Sequence, residues 1–328
     1  MIEQVLAGIY RIKIPLPRNP LKATNSYFIC GEKRNMLVDT GFNCEESRQA
    51  MDEGLQKLGV RMENTDLFIT HMHADHSGLI NYLATPDTTV WMSENDARVV
   101  AGSQASSLWT TFNDFVQLSG LAADGMGNDV SVHPGYKYAS EGFDRFTMVK
   151  EGYEIKVGDY HFQCVASPGH TQGHMCLYDQ KKKLLLSGDH ILGKITPNIT
   201  LGVFDIDVLR QYLQSLDKIA ALEIDTVLPG HRYIVTDCRG RIEELKGHHR
   251  ARLEDVMTIL GQERMNSAQV ASKMRWDLSY KDWQDFPWGQ KLFATGEAMA
   301  HLYHLSVEDK LILSNVDGIA YFNKYLGG

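Results

Sequence analysis

Six consecutive residues of this sequence, His71-Met-His-Ala-Asp-His76, hold three histidines and one aspartate, and they follow the apolar run Leu67-Phe-Ile-Thr. A short apolar run that ends in polar residues is typical of a buried strand leading into a loop. Strand ends and the loops after them are where α/β proteins present their ligands. The cluster therefore predicts a chain folded around a β-sheet, with a polar site at the ends of its strands.

Three later segments repeat this arrangement. His170, Asp189 and His231 each lie at or just past the end of an apolar run. Imidazole and carboxylate together suit Zn²⁺, Fe or Mn, and three protein ligands plus a water is the open arrangement of a catalytic zinc site. A lone histidine is more often an ordinary polar residue, and we interpret six others in that way: His133, His161, His248, His249, His301 and His304. The dense first cluster instead predicts metal binding.

The composition is that of an ordinary globular enzyme with an acidic balance. Of its 328 residues, 43% are hydrophobic and 23% charged, and 33 Lys plus Arg oppose 41 Asp plus Glu, for a net charge of −8. This balance disfavours broad nucleic-acid binding and binding to an anionic membrane surface. Five scattered cysteines outside CxxC pairs predict reduced thiols, and neither a signal-peptide pattern nor an apolar run of ~20 residues is found. We therefore expect a cytoplasmic protein without a membrane partner.

The arrangement of predicted elements changes near residue 237. Strands and helices alternate before it, whereas after it come a long charged helix, a short helix with Ser267 as its expected N-cap, and a further helix. The last segment predicts a β-hairpin that turns at Asp317-Gly. Because helices followed by a hairpin are typical of a winged helix, we predict a catalytic α/β domain over 1–236 and a winged-helix domain over 237–328.

Residues 94–145 interrupt the first domain and are predicted to form a partly helical insert. Trp109, Phe112 and Phe115 lie at near-helical spacing within it. These aromatic side chains would either cover the site as an apolar lid or pack as ordinary core or dimer contacts. The sequence favours neither arrangement, so a homodimer stays open and the substrate-binding residues are not predicted.

Five motifs resemble, in order, those of the metallo-β-lactamase superfamily. They are Asp39-Thr-Gly, Thr70 to Gly78, Ser167 to His174, Ser187-Gly-Asp-His190 and Leu228-Pro-Gly-His231. The resemblance covers residues 1 to about 236 and implies a four-layer αββα sandwich for the catalytic domain. The remainder resembles the winged-helix domain of one branch of that superfamily, which includes an endoribonuclease and thioesterase-like enzymes and lies near glyoxalase II.

The resemblance also implies which residues hold two divalent ions. Three histidines would hold the first ion, namely His71, His73 and His170. An aspartate and two histidines would hold the second, namely Asp75, His76 and His231. Asp189 would bridge both ions. Zn²⁺ is the expected metal, with Fe or Mn as alternatives.

Two further residues of the motifs would act on the ligands from outside. Asp39 would orient a ligand imidazole, and His174 would lie next to the ligands without binding metal. Metal sites need such residues, which hold the ligands in place by hydrogen bonds. Ordinary buried hydrogen bonding is the alternative for both. His190 follows the bridging aspartate, and the sequence assigns it no role.

The implied chemistry is hydrolysis. Two ions that share a carboxylate lie ~3.5–4 Å apart and can hold a hydroxide between them, since metal binding lowers the pKa of water to ~7. We therefore predict a di-metal hydrolase whose metal-bridging hydroxide attacks an ester, thioester or lactone carbonyl of a small molecule. Asp75 and Asp189 would be its catalytic carboxylates, with Asp75 taking the transferred proton. No GxSxG, GxxxxGK[ST] or GxGxxG motif competes.

Two other functions stay open at this point. A metal-dependent endoribonuclease would use the same ligands, but the acidic balance favours small substrates over RNA. A non-catalytic metal-binding regulator would use the winged helix for DNA, yet the complete ligand set disfavours it. The expected recognition segment, residues 289–305, carries only Lys291 as a cation, with Glu297 opposing it. We therefore expect a small-molecule partner, no nucleic acid, and a winged helix that packs and encloses substrate.

Overall fold

The computed structural model describes residues 2–102, 105–124, 133–140, 142–201, 204–277, 280 and 282–325 of the chain. These residues form two units, each assembled from several stretches of sequence. Unit 1 comprises Met1–Ala105, Pro134–Pro197 and Ser215–Ile242, and unit 2 comprises Ser106–His133, Asn198–Gln214 and Glu243–Gly328. The domain boundary at residue 236 and the 94–145 insert stay predictions.

Unit 1 contains two β-sheets, and the spatial order of strands in the first follows the chain. Its strands are β1 (Ile2–Leu6), β2 (Ile9–Pro15), β3 (Ala23–Ile29), β4 (Asn35–Val38), β5 (Thr65–Phe68), β6 (Val90–Ser93) and β7 (Phe146–Val149). Neighbours from β1 to β4 pair antiparallel, and neighbours from β4 to β7 pair parallel. All positions of β5 are buried, as expected for a parallel strand covered on both faces. The histidine cluster begins just beyond the carboxyl end of this buried strand.

The second sheet of unit 1 supplies the other strand ends of the site. Its strands are β8 (Glu154–Val157), β9 (Tyr160–Ala166), β10 (Met175–Asp179), β11 (Leu184–Gly188) and β12 (Thr226–Pro229), in the spatial order β12-β11-β10-β9-β8. β11 pairs parallel with β12, while the other neighbours pair antiparallel. β9, β11 and β12 therefore run in one direction, and their carboxyl ends lie at one edge of the sheet. His170, Asp189 and His231 follow these three strands.

A shared hydrophobic core joins the two sheets. Ile9, Tyr27 and Phe68 from the first sheet pack with Phe162 and Leu177 from the second, and all five are almost fully buried. Each large apolar side chain buried in this way contributes roughly 1.5–3 kcal/mol. The two sheets therefore form a sandwich, as expected for the central layers of the predicted αββα fold.

Helices cover the other face of the first sheet. Over both units, the described residues include the helices α1 (Glu45–Lys57), α2 (Ala74–Ser77), α3 (Ile80–Leu83), α4 (Glu94–Val100), α5 (Ala105–Leu118), α6 (Pro134–Lys137), α7 (Val208–Ala220), α8 (Cys238–Leu260), α9 (Ser267–Lys273) and α10 (Trp288–Val307). Two of them, α1 and α3, contact the first sheet as follows. Met51 and Leu55 of α1 and Ile80 of α3 pack with Leu37 and Leu67 of the sheet. Because Leu37 and Leu67 alternate with residues of the shared core, these helices lie on the opposite face and add a helical layer.

Unit 2 has a separate core and a small sheet. Its strands are β13 (Met265–Asn266), β14 (Leu311–Val316) and β15 (Ile319–Lys324), which pair antiparallel in the order β13-β15-β14. Val270, Leu302 and Phe322 are buried together in this core. The β14–β15 hairpin turns at Asp317 and Gly318, both at positive φ (51° and 81°). Such a turn favours Asp-Gly, so the predicted hairpin is present.

The N-cap of α9 is one residue earlier than predicted. Asn266 is the cap: its side chain accepts a hydrogen bond from Gln269 N, and the Gln269 side chain accepts one from Asn266 N. The hydroxyl of Ser267 instead donates to Ser119 O at 3.2 Å. The prediction of Ser267 is therefore wrong, because a contact distant in sequence engages the hydroxyl that the local pattern assigned to capping.

The cysteines of this chain are all free thiols. Burial raises the pKa of Cys164 and of Cys176 to about 12, and that of Cys238 to about 11. Thiols that stay protonated at neutral pH are poor nucleophiles. These three cysteines therefore contribute to packing. Among the described residues, no helix combines the length and apolar character needed to cross a membrane.

Candidate metal centre

The structure brings all seven predicted metal ligands together in unit 1. They form three overlapping groups whose ligand atoms lie within 4.8 Å of one another: His71, His73 and His170; His71, His76 and Asp189; Asp75, His76 and His231. The first and third groups contain the ligands expected for the first and second ions. Asp189 spans the two, since its Oδ2 lies 3.6 Å from His170 Nε2 and 3.4 Å from His231 Nε2.

Strand direction explains why residues so distant in sequence meet. The cluster of residues 71–76 begins three residues beyond the end of β5 and continues into the short helix α2. His170 lies in the loop after β9, Asp189 directly follows β11, and His231 lies two residues beyond β12. Because β9, β11 and β12 end at one edge of their sheet, short loops are enough to place these side chains together.

Two of the predicted ligand histidines have the ring nitrogen that faces away from the cluster bonded to a protein oxygen. Nδ1 of His76 lies 2.7 Å from Asp39 Oδ2, and Nδ1 of His231 lies 2.8 Å from Ala23 O. A carbonyl oxygen and a carboxylate only accept, so both Nδ1 atoms carry hydrogen in the neutral rings and both Nε2 atoms carry the lone pair. These two Nε2 atoms lie 3.3 Å apart. Their lone pairs therefore converge on one point inside the protein.

Asp39 also acts on His71 through Thr70. The Thr70 hydroxyl donates to Asp39 Oδ2 at 2.8 Å and lies 3.0 Å from His71 Nδ1, so it accepts from that nitrogen. Nε2 of His71 is left facing His73 Nδ1 at 3.1 Å. Asp39 itself has a positive φ of 59°, a conformation that Asp and Asn tolerate better than most residues. One buried carboxylate is thus hydrogen-bonded, directly or through Thr70, to two of the predicted ligand imidazoles.

His174 lies beside the ligands, and both of its ring nitrogens are already engaged. Its Nδ1 lies 2.7 Å from Ser167 Oγ, and its Nε2 accepts from Asp189 N at 3.1 Å. This arrangement places the backbone of Asp189 and leaves no lone pair of His174 for a metal. His190 is fully buried, its ring centroid lies 6.0 Å from that of His174, and burial lowers its pKa to about 3. It is therefore a neutral neighbour of the site.

Strand β3 supports the segment that carries His231. Asn25 Nδ2 donates to Pro229 O at 3.0 Å, the Tyr27 hydroxyl donates to the same oxygen at 2.9 Å, and Asn25 N donates to Gly230 O at 2.7 Å. Sequence reasoning missed both side chains, because β3 precedes this segment by about two hundred residues. The only signal in the sequence was that Asn25 and Tyr27 occupy alternate positions of a strand and so share a face.

The two halves of the site differ in the pKa values of their histidines. Burial, together with the neighbouring His76, lowers the pKa of His71 well below its usual value, and burial lowers that of His73 to about 3. Burial also opposes the charged form of His231, yet Asp189 and Asp75 raise its pKa to about 10. The half with carboxylates therefore attracts positive charge, while the half with His71 and His73 offers neutral imidazoles.

This donor set fits a pair of divalent cations. Burial by itself would raise the pKa of Asp75, but His76 and His231 lower it to about 2, so the carboxylate is ionised. The pKa of Asp189 is likewise held low, mainly by His231 and His76 against the effect of burial. Buried carboxylates need compensating positive charge, and lone-pair nitrogens 3.3 Å apart repel unless a cation or proton lies between them. Nitrogen and carboxylate donors in this number suit Zn²⁺, Fe or Mn.

The predicted lid residues belong to α5, in unit 2. The side chain of Trp109 lies outside the described residues. Phe115 is buried, and the ring of Phe112 lies 5.8 Å from that of Trp288. These contacts are those of ordinary packing within unit 2, and the lid stays a prediction.

Comparison with known proteins gives a consistent family. The profile described as the metallo-beta-lactamase superfamily matches residues 19–231. The beta-lactamase-like protein 2 homolog of Caenorhabditis elegans is 26% identical over 299 residues, which cover 89% of this chain and 82% of that protein. The probable metallo-hydrolase YqjP of Bacillus subtilis is 26% identical over 286 residues, covering 84% of this chain and 85% of that protein.

One relative is named for a substrate, and one solved structure matches almost the whole chain. An atrochrysone carboxyl ACP thioesterase of Aspergillus aculeatus is 22% identical over 277 residues, covering 83% of this chain and 71% of that protein. The crystal structure of a metallo-beta-lactamase family protein from Thermus thermophilus is similar with a TM-score of 0.81 and 27% identity. It covers 98% of this chain and 100% of that one, so the similarity extends over both units.

Proposed function

Because this chain belongs to the metallo-β-lactamase superfamily and is a metal-dependent hydrolase, we propose that it uses two metal ions to cleave an ester, thioester or lactone carbonyl in a small molecule. The observation that carries the proposal is the convergence of seven nitrogen and carboxylate donors in three overlapping groups. The relative named as an ACP thioesterase supports a thioester among the candidate substrates.

Each ion is assigned to one of the groups. His71, His73 and His170 would hold the first ion. Asp75, His76 and His231 would hold the second. Asp189 would be shared, which its 3.5 Å distance from His76 Nε2 through Oδ1 and its 3.6 Å distance from His170 Nε2 through Oδ2 support. Zn²⁺ is the first choice of metal, with Fe or Mn as alternatives.

Asp75 is the carboxylate best placed to exchange protons with substrate. Two divalent ions held here would act as Lewis acids and lower the pKa of a bound water to ~7. The side chain of Asp75 is 13% exposed, against 8% for Asp189 and 2% for Asp39. A proton acceptor must lie within hydrogen-bond reach of the reacting water. We therefore propose that Asp75 would take the transferred proton, and that Asp189 would help to hold both ions.

Unit 2 supports a role in packing more than in nucleic-acid recognition. The order α8, β13, α9, α10, β14, β15 is that expected of a winged helix, and we propose that fold for the C-terminal segment. A recognition helix has to expose one face to the bases. Twelve of the twenty residues of α10 are buried, and Lys291 is the one Lys or Arg in the sequence of this helix. We therefore propose a small-molecule substrate and no nucleic-acid partner.

A substrate panel with metal control tests this function. Metal-replete protein is assayed with an acyl thioester, a lactone and a single-stranded RNA, each before and after chelation and again after metal is restored. We expect turnover of the thioester or the lactone that chelation abolishes and added metal restores. Elemental analysis of the untreated protein should find two ions per chain.

The other outcomes separate the alternatives. Cleavage of RNA without turnover of the carbonyl substrates would replace the proposal with a metal-dependent ribonuclease. Metal-replete protein that turns over none of the three would contradict the hydrolase and favour a metal-binding regulator. Turnover that survives complete chelation would contradict the metal mechanism.

A further inference from the structure

Asp96 is a buried carboxylate of unit 1 that none of the sequence motifs includes. It lies in the first turn of α4 and is 1% exposed. Three donors converge on its two oxygens: Met72 N at 2.9 Å, the Thr171 hydroxyl at 2.7 Å and Gly173 N at 2.8 Å. All three donors are protein groups, so the fold itself holds this buried carboxylate in place.

The donors belong to the two segments that carry the first ligand group. Met72 lies between His71 and His73, and Thr171 directly follows His170. A single oxygen, Oδ2, accepts from both Met72 N and the Thr171 hydroxyl. One atom of Asp96 therefore joins, at residues next to the ligands, two segments about a hundred residues apart in sequence.

We propose that Asp96 is a positioning residue that sets the spacing between the His71–His73 segment and His170, and with it the affinity for the first metal ion. The inference rests on the proposed function, since it concerns the ion that those three histidines would share. Asp39 supports His76 directly and His71 through Thr70, and Ala23 O accepts from His231. None of the three donors to Asp96 lies next to Asp75, His76 or His231. The effect of Asp96 is therefore selective for one ion.

The packing around Gly173 shows how closely the second segment must approach. A Cβ atom at this position would lie 2.5 Å from Asp96 Oδ1 and 2.2 Å from Ser93 Oγ, well inside van der Waals contact. The glycine thus lets its own N–H reach the carboxylate. A backbone bond from Met175 N to Thr70 O also joins the two segments at 2.9 Å, next to His71 but five residues beyond His170. Asp96 instead joins residues that lie next to predicted ligands in both segments.

Three variants test the proposal, with one matched control. Asp96→Ala removes both acceptor oxygens, Asp96→Asn keeps the shape but presents an amide N–H to the donors, and Gly173→Ala pushes the segment away while keeping the carboxylate. Asp179→Asn is the control, because Asp179 is a buried carboxylate that accepts from His161 N at 2.8 Å and Lys182 N at 3.0 Å, outside both segments. Thermal melts of the metal-free proteins check that each variant folds.

Metal affinity is the readout, independent of turnover. Chelator competition with Zn²⁺ gives the affinity of each ion, and the absorption spectrum of the Co²⁺ protein reports the coordination of the first. Replacing a residue that bonds to a metal ligand typically lowers metal affinity by about 10–100-fold. We therefore expect Asp96→Ala to lower the affinity for the first ion by that factor, and Asp96→Asn to lower it by less. Gly173→Ala should have the same selective effect. The second ion should be unchanged in all three, and Asp179→Asn should bind both ions as the unaltered protein does.

Two results would overturn the inference. One is a folded Asp96→Asn protein with both affinities and the Co²⁺ spectrum unchanged. The other is an equal loss of both ions that Asp179→Asn reproduces, since that would indicate a general loss of stability. If the unaltered protein itself bound no Zn²⁺ or Co²⁺, the proposed function would fail together with the inference, whereas normal binding without an effect of Asp96 removes the inference alone.

Discussion

Units 1 and 2 each bury a cluster of histidines, but the two clusters direct their ring nitrogens differently. In unit 1 the outer nitrogens bond to protein oxygens, and the Nε2 atoms of His76 and His231 face each other at 3.3 Å. In unit 2 Nδ1 of His249 lies 3.0 Å from Nε2 of His301, whose Nδ1 donates to Glu297 O at 2.7 Å. The first cluster has lone pairs that converge, whereas the second links its rings into a chain of hydrogen bonds.

The carboxylates near the two histidine clusters also have different partners. Asp75 and Asp189 contribute oxygens to the ligand groups of unit 1. In unit 2 the Glu297 carboxylate lies 3.6 Å from His248 and 3.5 Å from the Arg252 guanidinium, so a cation of the protein, Arg252, already balances its charge. Among the residues that the structure describes, every group with metal-ligand geometry lies in unit 1. The number of buried histidines therefore does not by itself produce metal-ligand geometry; converging ring nitrogens beside two carboxylates do.

The largest expected effect comes from removing the carboxylate that both ligand groups share. Replacing a residue that only bonds to a metal ligand typically lowers activity or metal affinity by at most roughly 100-fold. For Asp189→Ala, which removes a ligand itself, we expect the rate of hydrolysis to fall by more than that, together with a loss of bound metal. Elemental analysis and turnover of the panel substrate measure the two effects. Asp207→Ala is the control in unit 2, where Asp207 pairs with His304 at 2.9 Å, and it should lower stability with the metal content unchanged. Undiminished turnover in Asp189→Ala would rule out the shared ligand.

A smaller effect is expected from the carboxylate that orients His76 and His71. Asp39→Asn keeps the side-chain shape and tolerates the positive φ of 59°, but it removes the charge that faces His76. We expect metal affinity to fall by about 10–100-fold while the protein stays folded. Chelator competition gives this value, with Asp317→Asn as the control because Asp317 has a similar φ of 51° in the unit 2 hairpin. Equal affinities in Asp39→Asn and Asp317→Asn would leave Asp39 with a packing role only.

Acid should weaken unit 2 through its buried histidines. Burial, with His301 and His248 adding to it, lowers the pKa of His249 well below its usual value, and burial lowers the pKa of His301 despite Glu297. Unfolded histidine titrates near 6.5, so below that pH the unfolded chain binds more protons than the folded one. The contribution to stability is therefore complete above about pH 6.5 and is lost as the pH falls, by at most about 1.4 kcal/mol per pH unit for each histidine.

Urea unfolding across this pH range measures the effect. His301→Gln removes one of the two titrating groups and should reduce the slope of stability against pH. His161→Gln is the control, because His161 has a side chain that is 41% exposed and pairs with Glu154. Metal held by the predicted imidazole ligands of unit 1 should also be released by acid, since these ligands bind only when unprotonated. Excess metal should reverse that loss but not the loss of stability in unit 2. If His301→Gln left the slope of the unfolding free energy against pH unaltered, the unit 2 histidines would not be the cause of that slope.

The smallest effect concerns the cap of α9 in unit 2. Asn266→Ala removes the acceptor for Gln269 N, and the loss of such a cap typically costs about 1 kcal/mol. The free energy of unfolding should fall by about that amount, with the affinity for both ions unchanged. A change in metal affinity in this variant would contradict the comparison, in which metal binding depends on unit 1 and not on the stability of unit 2.

Much of the site follows from local pattern. The apolar run at Leu67 predicts a buried strand, and β5 ends at Phe68 just before the cluster. The segment from Thr226 predicts a strand that stops before Gly230-His231, as β12 does. These elements are predictable because hydrophobic periodicity and the residue types at strand ends depend on a few neighbours in sequence.

Outer contacts are different, because they depend on which distant segments meet. Asp96 occurs in no motif and lies about twenty residues beyond the cluster, so its three hydrogen bonds could not be predicted. Ser267 matched the local rule for an N-cap, yet the carbonyl of Ser119 engages its hydroxyl and Asn266 is the cap. Side-chain hydrogen bonds are decided by geometry at about 3 Å, which local propensity does not encode.

The sequence by itself determined that histidines and aspartates of metal-ligating type follow the ends of several strands, and it predicted which of them would bind metal. Only the tertiary structure decided how those ligands are held: the bond from His76 to Asp39, the bond from His231 to Ala23 O, and the joining of two ligand segments by Asp96. The physical reason is that ligand identity depends on residue type, whereas the direction of a lone pair depends on the partner of the other ring nitrogen, and that partner comes from a different part of the chain.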